Sequence, residues 1–510
     1  MNSTTVGQAL RRLVRTPGFT VPVLLLLALG LGASATMFAV VDGVLLEPLP
    51  LPDSKELVVL CEQHPSVEGY CVGSVPTTRD LGRAAASLET AGAARGWSYS
   101  YEDGGEVEGV SGGIAAPEFF DALEVQPALG RLFAPDEIGP DRDDVLVLSH
   151  AFWTRRYGAD PGVLNRTVRL DGEPVEIVGV LPEGLEVPTL EWVEVWRPLH
   201  VDPAVELNRG WRGFTALGRL APGATVESAQ AELSSLYRSL GTQHEAIGDD
   251  WRLRVRTLQD EIVGSARRPL WAFLGGVLLL LLIASANVAS LVVARLVARW
   301  RDAAIRAALG AGARTLVGEV VVEGGLLALL ATLLGLVLAV GGLRVLLAYA
   351  PPGVPRLDNV GLDASVFVFA ALLAGFTVLV FALAAAVRAR APIGAALGSA
   401  RPAGLDVRGM GPHRWLVAGE VALSVVLVFT SLLLARSLMG FLGWDPGIDL
   451  DRVVVVPAIA SSGVHATGAD VMRFWRQAEE ELDGLPGVAA AGTGSSVPLR
   501  GGIERAQIRI

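Results

Sequence analysis

Few residues of this chain have the types and spacing that catalysis requires. Lys55 is the only lysine, and it lies in Pro-Asp-Ser-Lys-Glu rather than in the Gly-x-x-x-x-Gly-Lys-Ser/Thr loop that binds nucleotide phosphates. Ser149 and His150 are adjacent, and adjacent residues of a strand point to opposite faces. We therefore predict no catalytic site, no enzyme activity and no cofactor in this chain. Any use of ATP requires a separate ATPase subunit.

The two cysteines, Cys61 and Cys71, offer covalent chemistry. In an oxidising compartment they can form a disulfide. The alternative is two unpaired thiols, because a sequence does not give the distance between the two Cα atoms. His64 lies between them, but two cysteines and one histidine lack the fourth ligand and the pair spacing of zinc sites, so we predict no metal.

A few polar residues lie within or beside long apolar runs. They are Asn287, Glu319, Glu323 and Glu420. Ionisable groups at membrane depth can form a proton or substrate path. The three acids lie within about two turns of basic segments, which favours structural pairing with Arg314 or Arg414 at the membrane interface.

The apolar runs predict membrane helices. Hydrophobic residues make up 51% of the 510 residues. Gly18–Val41, Leu270–Ala294, Leu316–Ala348 and Ser365–Val387 are each long enough, at about 1.5 Å per residue, to cross a hydrocarbon core of about 30 Å. Trp415–Leu434 is a fifth such run.

The region between the first two runs is acidic and mixed. Residues 47–265 hold 36 acidic and 18 basic side chains, which leaves a net charge of +7 on the rest of the chain. Short β-rich stretches, including Val145–Leu148, Thr167–Leu170 and Val175–Val180, alternate with turn signals, and a helix is predicted over Thr225–Leu240. We expect a folded α+β domain without a basic face for nucleic acid.

Loop charges predict the topology. The first 18 residues, 295–314 and 388–414 are basic, whereas the 349–363 loop is slightly acidic. Positive loops stay in the cytoplasm, so the N-terminus is predicted inside and residues 47–265 outside. A cleaved signal peptide ending near Ala33-Ser34-Ala35 is an alternative that exports the same region, but its apolar core would exceed the usual length of about 7–15 residues.

A second copy of this layout follows residue 387. A basic start and a span lead to Asp451-Arg452-Val453-Val454, which parallels Glu56-Leu57-Val58-Val59 after the first span. We interpret this as an internal duplication. The second copy stops within its exported domain, so we expect a fragment or truncation of a longer protein.

Several short motifs resemble the permease subunits of the MacB/FtsX class of ABC transporters, most closely the duplicated orphan permeases (ADOP family) of acidobacteria. The motifs are Leu13–Thr20, Val44–Pro50, Ala128–Phe133, Leu148–Trp153, Arg166–Gly172, Ile283–Ala289 and Ala304–Ala311. The resemblance implies four spans per repeat in a bacterial inner membrane. Ser285 and Asp42 depart from it, since cysteine and asparagine are frequent there.

The resemblance also implies that the loop after the second span is a coupling helix that docks on an ABC ATPase subunit. The coupling candidates are Arg299, Arg301, Ile305, Arg306, Leu309 and Arg314. Arginines there can reach acidic or carbonyl partners beside a small apolar strip. From the residues alone, binding to anionic lipid headgroups is the alternative.

We predict an α-helical transmembrane protein with a large α+β extracytoplasmic domain and a duplicated permease repeat whose second copy is incomplete. Its predicted parts are 1–18 cytoplasmic N-terminus, 19–46 first span, 47–265 MacB-like periplasmic core domain, 269–294 second span, 295–314 coupling helix, 315–348 third span, 349–363 external loop, 364–387 fourth span, 388–414 cytoplasmic linker, 415–436 fifth span and 441–510 second exported domain.

The predicted function is that of a permease subunit for export or mechanotransmission. The lipid bilayer, a separate ABC ATPase, a periplasmic adaptor and a dimer or pseudo-dimer through the repeat are the predicted partners. The alternative is a membrane-tethered sensor or scaffold without an ATPase.

Overall fold

The computed structural model describes most of the chain. The described residues are 3–65, 71–137, 144–185, 187, 190, 192–199, 208–298, 313–349, 356–357, 360–389, 411–442, 453–454 and 468–494. They form two compact units. The membrane unit comprises Met1–Glu47 and Val263–Gly447, and the second unit comprises Pro48–Ile262, called the α+β domain below, together with Ile448–Ile510.

The helices are numbered in chain order. They are α1 (Ser3–Val14), α2 (Pro17–Val41), α3 (Val75–Ala84), α4 (Pro117–Leu123), α5 (His150–Tyr157), α6 (Val226–Gln243), α7 (Leu258–Ala298), α8 (Ala313–Ala348), α9 (Ala364–Ala389), α10 (Gly411–Leu442) and α11 (Gly468–Asp483).

The strands are numbered in the same way. They are β1 (Leu57–Gln63), β2 (Leu88–Asp103), β3 (Glu106–Ala115), β4 (Leu129–Gly130), β5 (Val145–Leu148), β6 (Thr167–Leu170), β7 (Glu173–Val180), β8 (Val195–Pro198), β9 (Thr215–Leu220) and β10 (Arg252–Thr257).

Among the described residues, four helical stretches are long and apolar enough to span a membrane: Pro17–Leu46, Leu258–Val292, Val321–Ala348 and Ala364–Ala384. Without water, backbone N–H and C=O groups in hydrocarbon must be satisfied within the segment, and a helix does this. The predicted class of a helical membrane protein with an α+β domain is therefore confirmed. Helix α10 holds a shorter apolar stretch, Ser424–Ser437, so the fifth span and the duplication stay predictions.

The α+β domain is built on one mixed sheet. Its strand order is β10-β1-β9-β2-β3-β8-β5-β7-β4, with β6 paired to β2 and β7. The long strand β2 pairs with β9 through its first half and with β6 near its end, so it links the two parts of the sheet. A Gly104-Gly105 turn with positive φ at both residues joins β2 to β3, as a tight hairpin requires.

Strand β1 is buried on both faces of this sheet. Leu57, Val59 and Cys61 enter the cluster that includes α4, whereas Val58 and Leu60 enter the cluster under α3 and α6. Alternate residues of a strand point to opposite faces, so a continuous apolar run is what a doubly covered strand requires.

Side-chain caps begin two helices of this domain. Thr225 and Ser228 form a capping box at the start of α6, one residue after the predicted start. The Ser149 hydroxyl accepts a hydrogen bond from the Phe152 backbone N–H at the start of α5. His150 packs its ring against Trp153, with 5.4 Å between the centroids. The Ser149–His150 pair thus caps and packs a helix.

Helices α2 and α8 touch through their backbones. A Cβ atom on Gly32 would lie 2.8 Å from the Gly335 carbonyl oxygen, and one on Gly335 would lie 3.1 Å from the Gly32 nitrogen. One turn further out along α2, Thr36 faces Gly342. Small residues permit this approach, and van der Waals packing is a main source of helix association in lipid. We call this contact the α2–α8 seam.

Close packing at the α2–α8 seam predicts that one added methyl group strongly destabilises the membrane unit. Gly32→Ala is expected to destabilise the membrane unit by about 1–3 kcal/mol, because backbone cannot move aside as a flexible side chain can. The measurement is thermal unfolding of the full chain in detergent. Gly325→Ala is the matched control, since no atom of the described residues lies within 4 Å of its added Cβ. Equal melting temperatures for the two variants would contradict the seam.

Candidate functional site

The predicted coupling segment lies largely outside the described residues. This applies to Arg299, Arg301, Ile305, Arg306 and Leu309. Arg314 lies in the first turn of α8, and its side chain is also outside the described part. Helix α7 ends at Ala298 and α8 begins at Ala313, so these two helices flank the segment. The coupling role stays a prediction.

The predicted intramembrane polar residues do not share one environment. Asn287 is exposed on α7, whereas Glu323 on α8 is buried, with 7% of its surface accessible. The next residue, Gly324, leaves room for the Phe381 ring of α9, which a Cβ would meet at 2.5 Å. The side chains of Glu319 and Glu420 lie outside the described residues.

The end of α2 is fixed by a group of contacts that we call the outer clamp. Helix α2 continues into a π-helical turn, Asp42–Leu46, a rare form that often marks functional sites. The Arg356 guanidinium donates hydrogen bonds to the carbonyl oxygens of Glu47, at 2.7 Å, and Val44, at 3.4 Å. One arginine thus satisfies two carbonyl groups where the chain leaves the helix.

The clamp also includes the start of α9. The Ser365 hydroxyl lies within hydrogen-bond distance of the Asp42 carboxylate, and Phe38 stacks on Phe369 with 4.0 Å between ring centroids. The Asp363 carboxylate accepts hydrogen bonds from the Ser365 hydroxyl and from the Val366 backbone N–H. These bonds, the hydroxyl bond first, hold the pKa of Asp363 below its usual value. The ends of α2 and α9 are therefore tied together.

A buried ion pair holds one side of the α+β domain. Glu62 on β1 is only 2% exposed, and it accepts hydrogen bonds from Arg212 Nε at 2.7 Å and the Tyr237 hydroxyl at 2.9 Å. Its other carboxylate oxygen accepts from the Ser74 backbone N–H at 2.8 Å. Burial, and then the Glu62 charge, raises the pKa of Tyr237. We call these four residues the Glu62 node.

Arg212 extends the node beyond β1 and α6. Its guanidinium donates to the Ile247 carbonyl oxygen at 2.8 Å and lies 3.8 Å over the Trp251 ring. Buried charges are tolerated when they are paired and hydrogen-bonded, and both Glu62 and Arg212 are. One carboxylate therefore connects a strand, a helix and two connecting segments.

Cys61 and Cys71 are joined by a disulfide, with 4.6 Å between their Cα atoms. The bond lies beside the Glu62 node and closes the segment that returns to β1, where the Glu62 N–H donates to the Val72 carbonyl oxygen at 2.7 Å. His64 packs near Trp251 instead, with 5.3 Å between ring centroids.

The first turn of α7 completes the surroundings of the disulfide. Leu258 and Ile262 pack in the same apolar cluster as the two sulfurs. The two Sγ atoms and one Glu261 carboxylate oxygen all lie within 4.8 Å of one another. Sequence reasoning missed Glu261, because it lies far from the cysteines in sequence and no motif connects them.

The Glu62 node predicts a large loss of stability when the charge of Glu62 is removed. Glu62→Gln is expected to lower the free energy of unfolding by about 3–5 kcal/mol, because Arg212 would stay buried without a counter-charge. Denaturant unfolding of the full chain in detergent measures this. The control is Glu106→Gln, whose carboxylate pairs with Arg156 but is 76% exposed, and a change within about 1 kcal/mol is expected there. Similar losses for both variants would show that Glu62 does not organise the domain.

The outer clamp predicts that loss of Arg356 exposes the backbone amides around it to faster hydrogen exchange. Arg356→Gln removes charge-assisted bonds to two carbonyl groups, each worth about 1.5–3 kcal/mol. Faster amide hydrogen exchange is expected in residues 42–47 and in the start of α9. Arg344→Gln, at an exposed position of α8, serves as the control and is expected to leave those amides unchanged. If exchange at 42–47 is the same in both variants, Arg356 does not hold the end of α2.

Three solved structures of single domains resemble part of this chain at low sequence identity. The extracellular domain of the noncanonic ABC-type transporter YknZ from Gram-positive bacteria is 16% identical, with 39% of this chain and 99% of that chain covered and a TM-score of 0.30. The periplasmic region of MacB from Actinobacillus actinomycetemcomitans is 13% identical, with coverages of 44% and 95% and a TM-score of 0.33. A permease-protein domain from Porphyromonas gingivalis is 16% identical, with coverages of 41% and 92% and a TM-score of 0.33. A search of curated proteins finds no match.

Two family models match the chain in succession. The MacB-like periplasmic core domain matches residues 20–236, and the FtsX-like permease C-terminal model matches residues 274–392. The second match covers most of α7, all of α8 and α9, and the segment between α7 and α8. The chain is therefore a helical membrane protein that carries a MacB-like periplasmic core domain followed by an FtsX-like permease domain.

Proposed function

We propose that this chain is the permease subunit of an ABC-type export or mechanotransmission system and couples a separate ATPase to its α+β domain. The observation that carries the proposal is the order of the two matched domains along a chain whose described part holds four long apolar helices. A periplasmic core domain inserted between a first span and a three-helix permease part is suited to moving an external domain from inside the cell.

The proposed orientation places the N-terminus in the cytoplasm and the α+β domain outside. It is supported by the alternation of basic and acidic connecting segments, which follows the positive-inside rule. The segment between α7 and α8, which contains Arg301 and Arg306, is then cytoplasmic and can meet a soluble ATPase. The cysteines are exported, and an oxidising compartment allows their disulfide.

The described contacts supply a route for motion through the membrane unit. A displacement of the segment between α7 and α8 reaches α8 directly along the chain. The α2–α8 seam passes it to α2, because backbones in contact cannot slide freely past each other. The outer clamp then ties the end of α2 to α9, so these helices move together.

The chemistry of ATP belongs to the partner in this proposal. Lys55 lies outside any phosphate-binding loop, so nucleotide binding and hydrolysis require the separate ATPase, and the chain acts without a cofactor of its own. A periplasmic adaptor, a dimer or pseudo-dimer and membership of the duplicated orphan subgroup are further parts of the proposal. The duplicated layout of the sequence supports the dimer or pseudo-dimer, and the resemblance of the short motifs supports the adaptor and the subgroup.

The test is co-purification of the full chain with an ABC ATPase from native membranes. Charge reversal at Arg301→Glu and Arg306→Glu is expected to reduce the retained ATPase at least tenfold, about 1.4 kcal/mol, because the acidic partners then meet like charges. The control is Arg473→Glu, at an exposed arginine of α11. If wild type retains no ATPase and the double variant keeps the wild-type phenotype, the chain acts as a sensor or scaffold. If retention is unchanged but binding to anionic vesicles falls, the segment anchors lipid.

A further inference from the structure

Three potential metal ligands meet where β1 faces the first turn of α7. They are the sulfurs of Cys61 and Cys71 and a carboxylate oxygen of Glu261, all within 4.8 Å of one another. Cys61 is fully buried, and the other two residues are partly buried. This grouping is not a product of local sequence, because strand β1 and helix α7 bring the acid to the sulfurs.

We propose that reduction of the disulfide converts this group into a binding site for a thiolate-preferring divalent metal ion such as Zn²⁺. Two cysteine thiolates and a carboxylate are ligands that zinc accepts, at about 2.3 Å from sulfur and about 2.0–2.2 Å from oxygen. Three protein ligands leave a fourth tetrahedral position open to water. His64 does not belong to the site, since its ring packs near Trp251.

The surroundings suit a metal site in two ways. The apolar cluster around the sulfurs, which includes Leu258 and Ile262, limits competition from water. Arg256 Nη1 lies 3.4 Å from Glu261 Oε2 and so orients the carboxylate from its outer side. Such outer partners fix ligand geometry in known metal sites.

The redox step is an exchange with an exported dithiol or a similar reductant. A thiolate of the dithiol attacks one sulfur of the Cys61–Cys71 bond, which forms a mixed disulfide and releases the other cysteine as a thiolate. The second thiol of the reductant then attacks the reductant's own sulfur in the mixed disulfide and releases the remaining cysteine. Two electrons and two protons pass to the chain, which then holds two thiols, while the dithiol becomes a disulfide. Metal binding releases both thiol protons, because only thiolates coordinate.

The disulfide and the proposed metal-bound state link different elements of the α+β domain. The disulfide joins β1 only to the segment that ends at Cys71. The metal would also join both sulfurs to Glu261 in the first turn of α7, which is also the start of the candidate span Leu258–Val292. Oxidation removes both thiolates, so disulfide and metal exclude each other. The site is thus a redox-controlled cross-link between β1 and α7.

The test uses the full chain in detergent, oxidised or reduced with a phosphine that is then removed. Co²⁺ is the spectroscopic probe, because thiolate ligation gives an intense charge-transfer absorption, and Zn²⁺ is titrated against a chromophoric chelator. The reduced protein is expected to bind one ion per chain at this site, and the oxidised protein none there. Zn²⁺ is also expected to protect both thiols of the reduced wild type from alkylation, which requires no cysteine variant.

Single substitutions test each proposed ligand separately. Cys61→Ser and Cys71→Ser are expected to weaken the charge-transfer band. Glu261→Gln is expected to keep the band but to lower affinity more than about tenfold, since outer partners alone contribute about 10–100-fold. Asp260→Asn, on the same turn of α7, is the matched control with unchanged affinity. The proposal is overturned if reduced wild type takes up no more Co²⁺ than the double cysteine variant, if alkylation is unprotected, or if Glu261→Gln binds as tightly as wild type.

Discussion

The backbone contact between Gly32 and Gly335 is the constraint on which the membrane unit depends. In hydrocarbon the helices must satisfy their own polar backbone groups, so each span remains helical when it is displaced. Packing then decides which helices move together, and adding one methyl group at this crossing would require the backbone to move. The clamp formed by Arg356, Asp42 and Ser365 fixes the same helix at its end. Helix α2 is therefore held at its middle and at its exit.

The α+β domain uses buried charge where the membrane unit uses close packing. A carboxylate as buried as Glu62 is stable only with its charged and hydrogen-bonding partners in place, so Arg212, Tyr237 and Ser74 are fixed in position by the cost of leaving it unpaired. The adjacent disulfide closes a loop with a sequence separation of 10. Such a closure typically contributes about 2–4 kcal/mol by restricting the unfolded chain. Both devices act on strand β1, which is buried on one face by the cluster that includes α4 and on the other by the cluster under α3 and α6.

The sequence predicts those parts of this molecule that depend on residues close together in the chain. Apolar runs and turn residues predict the spans and strands such as Val145–Leu148, because period and length depend on neighbouring residues. The pairings that matter at the candidate site are non-local: Glu62 meets Arg212, and the cysteines meet Glu261, only after the sheet has formed. Arg356 gives no motif at all, since its partners are backbone carbonyl oxygens. The coupling role of Arg301 and its neighbours rests on family resemblance and charge.

Helix α7 belongs to both units, because it begins in the α+β domain and ends in the membrane unit. Its first turn carries Glu261 beside the disulfide, and its last described residue, Ala298, adjoins the proposed ATPase contact. Pro269 lies inside this helix, where it removes one backbone hydrogen bond and disfavours straight geometry. Bending is therefore easiest between Glu261 and the apolar part of the span. A cross-link at Glu261 would fix only the turn that precedes Pro269, so it would join that turn to β1 without stiffening the helix at the proline.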